Sequence, residues 1–580
     1  MSWTQWFIFL IVLQIIHGLG TWKLYIKAGR QAWEAFVPVY NAVVLMKIIT
    51  RPWWWVILMF LPIVNLIMIP AAWVETARAF GKDSKVDSLL CIVTLGFYLY
   101  YLNYATDVQY IKDRKLKPRT STGEWITSIL FAIVAATIVH TYFFQPFVIP
   151  SSSLEKSLLI GDFLIVSKIH YGARTPMTTV AAPMVHDTIP KLGMKSYLFN
   201  DEYEKRNTSW MNKLQLPYFR LPGFEDVERN DIVVFNQPAD TLLDMNKFQP
   251  DRNYYKPIDK KTSLVKRCVG LPGDSLEIKN GYVFINGKQN VLPNRAELQH
   301  YYTWTSKSPI TEQFFKKFKS ETVFNYYKIS TKLWDDSRVQ NFIKNNPKRV
   351  YLKEDSRDSL NVEIYGVVSG DIYQKFNIKE IPYKYIVNIT SKEAEQIKLL
   401  PQTISIKQFS DKIQNEEIFP QDPSYNWNID NFGSIWIPKK GETVNLTSKN
   451  LPLYKRAISE YEGNTVVTRG NQIFINDQPA TSYTFKQDYY WMMGDNRHNS
   501  IDSRFWGFVP YNHIFGKPVF IWMSIDGIND GIKNWSFRWD RIFTTVSGNG
   551  ERTSYFIPFI VVVLGLTFFN KWRKKKKAKA

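Results

Sequence analysis

Cysteine is nearly absent, with two residues in 580. Cys91 lies inside an apolar segment and Cys268 inside a strand-like run, so a disulfide framework and a cysteine-based metal site both lack the residues they need. Acidic side chains are in deficit, 52 against 73 Lys and Arg, which leaves a net charge of +21. Such a surplus suits nucleic acid, an anionic membrane surface or loops held in the cytoplasm. Long apolar segments with basic residues at their flanks decide for the membrane. The first of these segments lacks the basic start and small-residue cleavage site of a removable leader, so it reads as a retained anchor. No charged residue sits deep in the predicted spans, which argues against a transporter.

Five apolar segments approach the roughly 20 residues needed to cross a hydrocarbon core. They run from Trp3 to Tyr25, from Trp53-Trp54-Trp55 to Trp73, from Leu89 to Tyr104, from Trp125 to Phe144 and from Tyr555 to Asn570. The stretch Ala35 to Ile49 has the apolar content to lie along the interface. Five Lys or Arg between Lys112 and Arg119, the tail Lys571-Trp-Arg-Lys-Lys-Lys-Lys577 and the loop Lys23 to Arg51 should stay inside. These assignments agree if the N-terminus, the Arg78–Asp87 loop and everything from Gln145 to Arg552 lie outside. A competing reading makes one of the first three segments re-entrant or buried.

The external part, about 400 residues, is long enough for its own core. Its runs alternate or are β-branched: Phe163-Leu-Ile-Val-Ser, Asp231-Ile-Val-Val-Phe, Thr465-Val-Val-Thr and Val519-Phe-Ile-Trp-Met. Turn signals at Asn280-Gly281, Asn286-Gly287 and Pro272-Gly273-Asp274 separate them. Helical period competes only weakly, around Glu312–Lys319 and Ser391–Lys398, so the expectation is a mainly β domain. Gly281-Tyr-Val-Phe-Ile-Asn-Gly-Lys288 and Asn471-Gln-Ile-Phe-Ile-Asn-Asp-Gln478 echo one another and read as similar hairpins flanking an insertion of roughly Pro293 to Tyr461. A smaller insertion spans Ala173 to Val227.

Three stretches carry candidate chemistry: Phe147 to Asp162 with Ser151-Ser-Ser153, Leu264 to Asp274 with Lys266, and Met493 to Arg504. A serine hydroxyl attacks only when a base takes its proton. His170, His186, His300, His498 and His513 are available, but none sits in a Gly-x-Ser-x-Gly elbow or another triad setting. A lysine base must be neutral near pH 7–8, roughly 2–3 units below its reference value. Burial among apolar groups achieves that, at a cost of about 3–4 kcal/mol in folding stability. Leu264, Val265, Cys268, Val269 and Leu271 surround Lys266, and in a strand Lys266 shares a face with Leu264 and Cys268 while Arg267 takes the other. Each stretch alone has a plainer reading: a capping box at Ser152-x-x-Glu155, a solvated strand lysine, and a polar turn.

In combination and order, the stretches resemble the signature boxes of type I signal peptidases, membrane-anchored bacterial leader peptidases with a Ser–Lys dyad. The family's P-S-x-S-M and L-x-G-D are matched by Pro150-Ser-Ser-Ser-Leu154 and Leu159-Ile-Gly-Asp162. Its R-G-D-I-V-V-F is matched by Arg229-Asn-Asp-Ile-Val-Val-Phe235. Its K-R-x-V-G-L-P-G-D corresponds to Lys266–Asp274, and its G-D-N-R-x-N-S-x-D-S-R-x-W-G-x-V-P to Gly494–Pro510. The Trp53-Trp54-Trp55 spans and the Ser-Leu-Glu-Lys-Ser variant look most like Bacteroidetes members.

The resemblance implies Ser153 as nucleophile, Lys266 as general base, and an oxyanion hole from the Ser151 hydroxyl and the Ser153 backbone N–H. Ser500 would aim Lys266, while Asp502 with Arg504 and Asp495 with Arg267 would be supporting ion pairs. Phe147, Ile149, Pro150, Leu154, Leu158 and Val265 would line small apolar pockets, with substrate added as an extended strand. It further implies a signal-peptidase type β fold resting on the membrane, preprotein signal peptides and the lipid bilayer as partners, and no cofactor, metal or nucleic acid. The location implied is a bacterial cytoplasmic (inner) membrane, multi-pass, with the catalytic domain periplasmic. The expected division is 1–120 membrane domain with about three spans, 121–145 transmembrane helix, 146–292 and 462–552 the two parts of the catalytic β core, 293–461 insertion, and 553–580 C-terminal helix and basic tail.

Three positions depart from the family pattern. Leu154 replaces methionine, a volume-conserving change; Asn230 replaces glycine; and Cys268 stands as a small buried hydrophobe. Two other classes stay open at this point: a membrane-anchored scaffold that kept the fold without catalysis, and a Ser–His hydrolase using His170.

Overall fold

A computed structural model describes residues 1–114, 116, 121–238, 255–310, 323–346, 349–411 and 414–577. Among the described residues, three helices are long and apolar enough to cross a membrane: Trp3–Lys27, Ser121–Phe143 and Phe556–Lys576. The first is started by a reciprocal Ser2/Gln5 capping box, which satisfies two of the donors a helix start leaves open. Between the first two, short helices pack around a shared core that includes Leu24, Val44, Leu45, Met46, Cys91 and Leu99.

Two of the predicted spans are not single helices. Pro62 forces Leu61 into extended backbone (ψ 121°), so the second segment splits into Trp55–Phe60 and Asn65–Ala79. The third splits at Leu95 and Gly96, both at positive φ, where Gly96 N–H closes on the Cys91 carbonyl. Its halves, Lys85–Val93 and Tyr98–Tyr104, meet at 114°, a broken span or a re-entrant loop. Within the Ala35–Ile49 stretch, Val44, Leu45 and Met46 are buried among the other helices while Val37, Val39 and Tyr40 are exposed. Arg51, Arg78 and Arg114 all bond the Glu75 carboxylate, so the Arg78 loop gathers at the same end as the basic loops and not opposite them. Lys115, Lys117 and Arg119 of the basic run, and the Glu312–Lys319 helical period, lie outside the described residues.

The rest is largely β. A nine-stranded sheet has as its main path Phe144–Val148, Asp162–Ser167, Ile514–Asp526, Ile232–Asn236, Ser263–Gly270, Tyr489–Met493 and Val509–Pro510. All its pairings are antiparallel, and Ile232–Asn236, buried at every position, explains a run with no polar alternation. One face packs Ile149, Leu154, Leu158, Ile232 and Val234; another cluster holds Val233, Phe235, Cys268 and Met492. The two echoing segments are hairpins, Tyr282–Ile285 with Lys288–Gln289 and Gln472–Ile475 with Gln478–Pro479. Asn286-Gly287 and Asn476-Asp477 supply the paired positive φ values such tight turns require.

Residues 299–408 contain a separate six-stranded sheet, whereas Phe432–Trp436 returns to pair with Ser275–Lys279. The helical period at Ser391–Lys398 is a helix, capped by Thr390 and Glu393. Residues 173–227 form irregular chain with isolated bridges, a 3₁₀ turn at Tyr203–Lys205 and a short helix, Trp210–Lys213. That irregular segment receives the N-terminal helices: the Met1 ammonium donates to the Lys213 carbonyl at 3.0 Å, Trp6 Nε1 to that of Gln215 at 3.1 Å, and Ile63 packs beside Tyr197 and Phe199.

Candidate active site

The helix Ser121–Ile138 ends in a wider turn, Val139–Phe143, which hands the chain to the edge strand Phe144–Val148. The serine box follows as a single 3₁₀ turn, Ser152–Leu154, preceded by extended Ser151. It is pinned from below by Asp162. That carboxylate accepts from Leu159 N–H (2.9 Å), Ser524 Oγ (2.7 Å) and the Arg541 guanidinium. The capping box of the plainer reading does not form: Ser152 Oγ accepts from Asn499 Nδ2 at 2.8 Å.

Lys266 lies in the middle of strand Ser263–Gly270, opposite Val233, and is 5% exposed. Its Nζ stands 2.5 Å from Ser153 Oγ. Burial lowers its pKa from the usual lysine value to about 8, with the Asp502 carboxylate pulling the other way and the Arg504 guanidinium reinforcing burial. Asp502 is itself gripped by Arg504 through Nε (2.9 Å) and Nη2 (2.8 Å), both side chains being almost fully buried. Arg267, next in the strand, grips Asp495 the same way at 2.7 and 2.5 Å. Among the described residues the lysine is therefore surrounded by paired charges and meets no carboxylate of its own.

The third box closes over the serine. Asn496 donates its backbone N–H to the Ser153 carbonyl and its side chain to that of Ser152, both at 3.1 Å. Gly494 is the point of closest approach: a Cβ there would sit 2.3 Å from Ser500 Oγ and 2.5 Å from the Ser153 carbonyl oxygen. The Ser500 hydroxyl donates to Asp502 at 2.9 Å; its bond is to the carboxylate beside Lys266 and not to the amine. Ser151 is exposed at the start of the turn. Ile149, Leu154 and Leu158 are buried, Phe147 and Val265 half-buried at their border, and Pro150 exposed.

The histidines are elsewhere. His170 meets Ser167, His186 the Lys261 carbonyl, His513 Asn512, and His498 the Asp430 carboxylate at 3.2 Å. The His300 ring lies tilted against Tyr282, 5.1 Å between centroids. Ser153 is met by Lys266. Of the departures, Asn230 takes the left-handed conformation (φ 70°) that asparagine tolerates, and exchanges side-chain bonds with Asn290. Cys268 is fully buried and its thiol pKa is pushed up by burial, as for an inert hydrophobe.

The 299–408 sheet also holds this site, through residues that carry no sequence motif. Gln299 exchanges backbone bonds with Asp495 and Arg497 (3.0 Å each), Asn388 Nδ2 donates to Asn496 Oδ1 at 2.7 Å, and Tyr301 stacks on His498 at 4.2 Å. Glu393 pairs with Lys156 of the serine box at 2.9 Å. No local pattern marks these residues; they become partners only when distant strands meet.

A largely β domain on membrane helices, with a serine hydroxyl against a buried lysine beside two buried Arg–Asp pairs, defines a class of membrane-anchored proteins with a Ser–Lys centre. Residues 122–346 and 480–523 match the family described as Signal peptidase, peptidase S26, and the chain belongs to that family. Residues 33–113 match a family of unknown function, DUF5684. Among curated relatives, a signal peptidase I of Buchnera aphidicola subsp. Baizongia pistaciae is 25% identical over 68% of this chain and 74% of its own length. One from Haemophilus influenzae is 21% identical over 74% and 78%, and one from Helicobacter pylori is 44% identical over a short stretch, 10% of this chain and 24% of that protein. These relatives lend no support to a placement among Bacteroidetes.

Proposed function

We propose that this protein is a signal peptidase that removes signal peptides from exported preproteins, with Ser153 as nucleophile and Lys266 as general base. The observation that carries the assignment of roles is the contact between the buried Lys266 amine and the Ser153 hydroxyl. A neutral amine accepts the hydroxyl proton as Oγ attacks the scissile carbonyl, then returns it to the leaving amine. Water, deprotonated by the same amine, hydrolyses the resulting ester. The Ser151 hydroxyl and the Ser153 N–H would receive the oxyanion. Ser500 is assigned the support of Lys266 through Asp502; Asp502–Arg504 and Asp495–Arg267 hold the third box against the second and carry no proton.

The cleaved peptide would lie extended beside the edge strand Phe144–Val148. Phe147 and Val265 would bound the small-residue pockets, with Ile149, Leu154 and Leu158 as their floor and Pro150 at the rim. The proposed organisation is the division into 1–120, 121–145, 146–292, 293–461, 462–552 and 553–580, with the end of 293–461 counted to the core because Phe432–Trp436 pairs with Ser275–Lys279. We place the protein in a bacterial cytoplasmic membrane with the β domain periplasmic and the Lys571–Lys577 tail inside. Supporting that orientation, the start of Trp3–Lys27, the end of Ser121–Phe143 and the start of Phe556–Lys576 all adjoin the β domain.

The test is processing of an exported preprotein in cells that depend on this chain. Ser153→Ala and Lys266→Ala should each slow cleavage by at least about 10³-fold while the protein still accumulates in the membrane. Undiminished cleavage by either variant refutes the assignment.

A further inference from the structure

Away from the dyad, a cavity of ≈ 390 Å³ opens beside the loop that leads into the last apolar helix. Four guanidiniums, Arg229, Arg267, Arg295 and Arg552, and one carboxylate, Asp231, line it. Three of these charges are already matched. Arg229 holds Asp274 at 2.7 and 3.0 Å, Arg267 holds Asp495, and Asp231 is taken by Lys517 (3.1 Å) and the Tyr171 hydroxyl (2.8 Å). Arg295 and Arg552 differ: among the described residues neither meets a carboxylate. Arg295 donates to the carbonyls of Thr545, Ser547, Gly550 and Glu551 at 3.0–3.2 Å. Gly548 lets that guanidinium lie against the loop, since a Cβ there would stand 3.1 Å from Arg295 Cζ. Arg552 spends two donors on the Ser157 and Thr545 carbonyls. Burial and the neighbouring Arg541, only partly opposed by the Asp162 carboxylate that Arg541 already holds, bring its pKa down to about 10.

We propose that this cavity is a phosphate-binding site, occupied by the headgroup of an anionic phospholipid. Guanidiniums in a partly dehydrated hollow match a phosphate in charge and in donor geometry. Position selects the lipid as the source. Arg552 is four residues ahead of Phe556, where the last apolar helix begins, so the cavity sits at the level of the headgroups. Its rim adds Leu292, Pro293 and Val291, the last 86% exposed, as a contact for glycerol and acyl chain. The inference is independent of the cleavage reading, because occupancy can be measured without turnover.

Calorimetric titration of the full chain in a neutral detergent tests it, using short-chain phosphatidylglycerol, short-chain phosphatidylcholine and inorganic phosphate as probes. Saturable phosphatidylglycerol binding is expected, weakened by salt, with phosphatidylcholine and free phosphate each at least about ten-fold weaker. The double variant Arg295→Gln/Arg552→Gln should lose about ten-fold or more in phosphatidylglycerol affinity. Val291→Glu, at an exposed position that leaves the fold intact, should do the same by placing a carboxylate at the rim. Free phosphate binding as tightly as the lipid, and lost in the same variants, would overturn the lipid as source. Phosphatidylglycerol binding that is absent, or equal in wild type and both variants, would overturn the site.

Discussion

Ser153 and Lys266 show how much one buried amine asks of its surroundings. Lowering the lysine pKa to about 8 corresponds to about 3 kcal/mol of folding stability withheld while the unfolded amine is protonated. The sign follows from proton counts: between about 8 and the ordinary lysine value the unfolded chain binds the extra proton, so stability rises with pH across that window. Below about 8 both states are protonated and the penalty is whole. Lys266→Met, which keeps the apolar volume and drops the charge, should therefore melt higher than the wild type at pH 7, with the Tm gap narrowing from pH 8 upward. Gly494→Ala should reduce cleavage by about 100-fold or more, because the new methyl displaces the Ser153 carbonyl and such small misplacements are costly. Asp502→Asn should cost about 3–5 kcal/mol, read as a lowered Tm, by stranding the buried Arg504 guanidinium. These residues were legible in the sequence because the chemistry fixes their type within short runs. Two details were not: the Ser500 bond to Asp502 in place of Lys266, and the role of Asn496 over the serine box. Both depend on side-chain rotation and on loop closure, which spacing does not encode.

At the scale of elements, three of the four β-branched runs fall on strands of the main sheet and the fourth, Thr465-Val-Val-Thr, on the small sheet of the second hairpin; the Asn286-Gly287 turn marked the first hairpin and its echo the second, since period and turn chemistry are local. Helix breaks were less legible. Pro62 and the Leu95-Gly96 pair interrupt apolar runs that hydropathy alone reads as continuous. The 299–408 sheet was opaque in a different way: its bonds to the third box use Gln299 and Asn388, common polar residues brought together only by the fold. Its contact with the box gives it a positioning role. Asn388→Leu would leave Asn496 Oδ1 without its donor, a loss of about 1–3 kcal/mol at a buried acceptor. Steady-state kinetics with a signal-peptide substrate should show a several-fold lower kcat and little change in KM. Restoration by Asn388→Gln would separate positioning from general damage.

For the whole molecule, the N-terminal helices and the β domain are joined through the irregular 173–227 segment, which gives that insertion a structural purpose its composition did not announce. The contact also bears on topology. With Met1 against the β domain, an even number of crossings must separate Met1 from Gln145; Trp3–Lys27 and Ser121–Phe143 supply two, and the pair bent by 114° then turns back. Ser2→Cys should accordingly react with an impermeant maleimide in spheroplasts, and Lys576→Cys only after permeabilisation. Both native cysteines are buried and leave the background low.

Cleavage by this dyad requires a lysine that is uncharged when the enzyme works. The most direct measurement is the pH dependence of kcat/KM for the full-length protein on a signal-peptide substrate, with Lys266→Arg as the comparison. A rise with pH to a plateau, governed by a single ionisation near 8, is expected, with no comparable activity in Lys266→Arg. A flat profile from mildly acidic to alkaline pH, or a wild-type rate in the arginine variant, would contradict it.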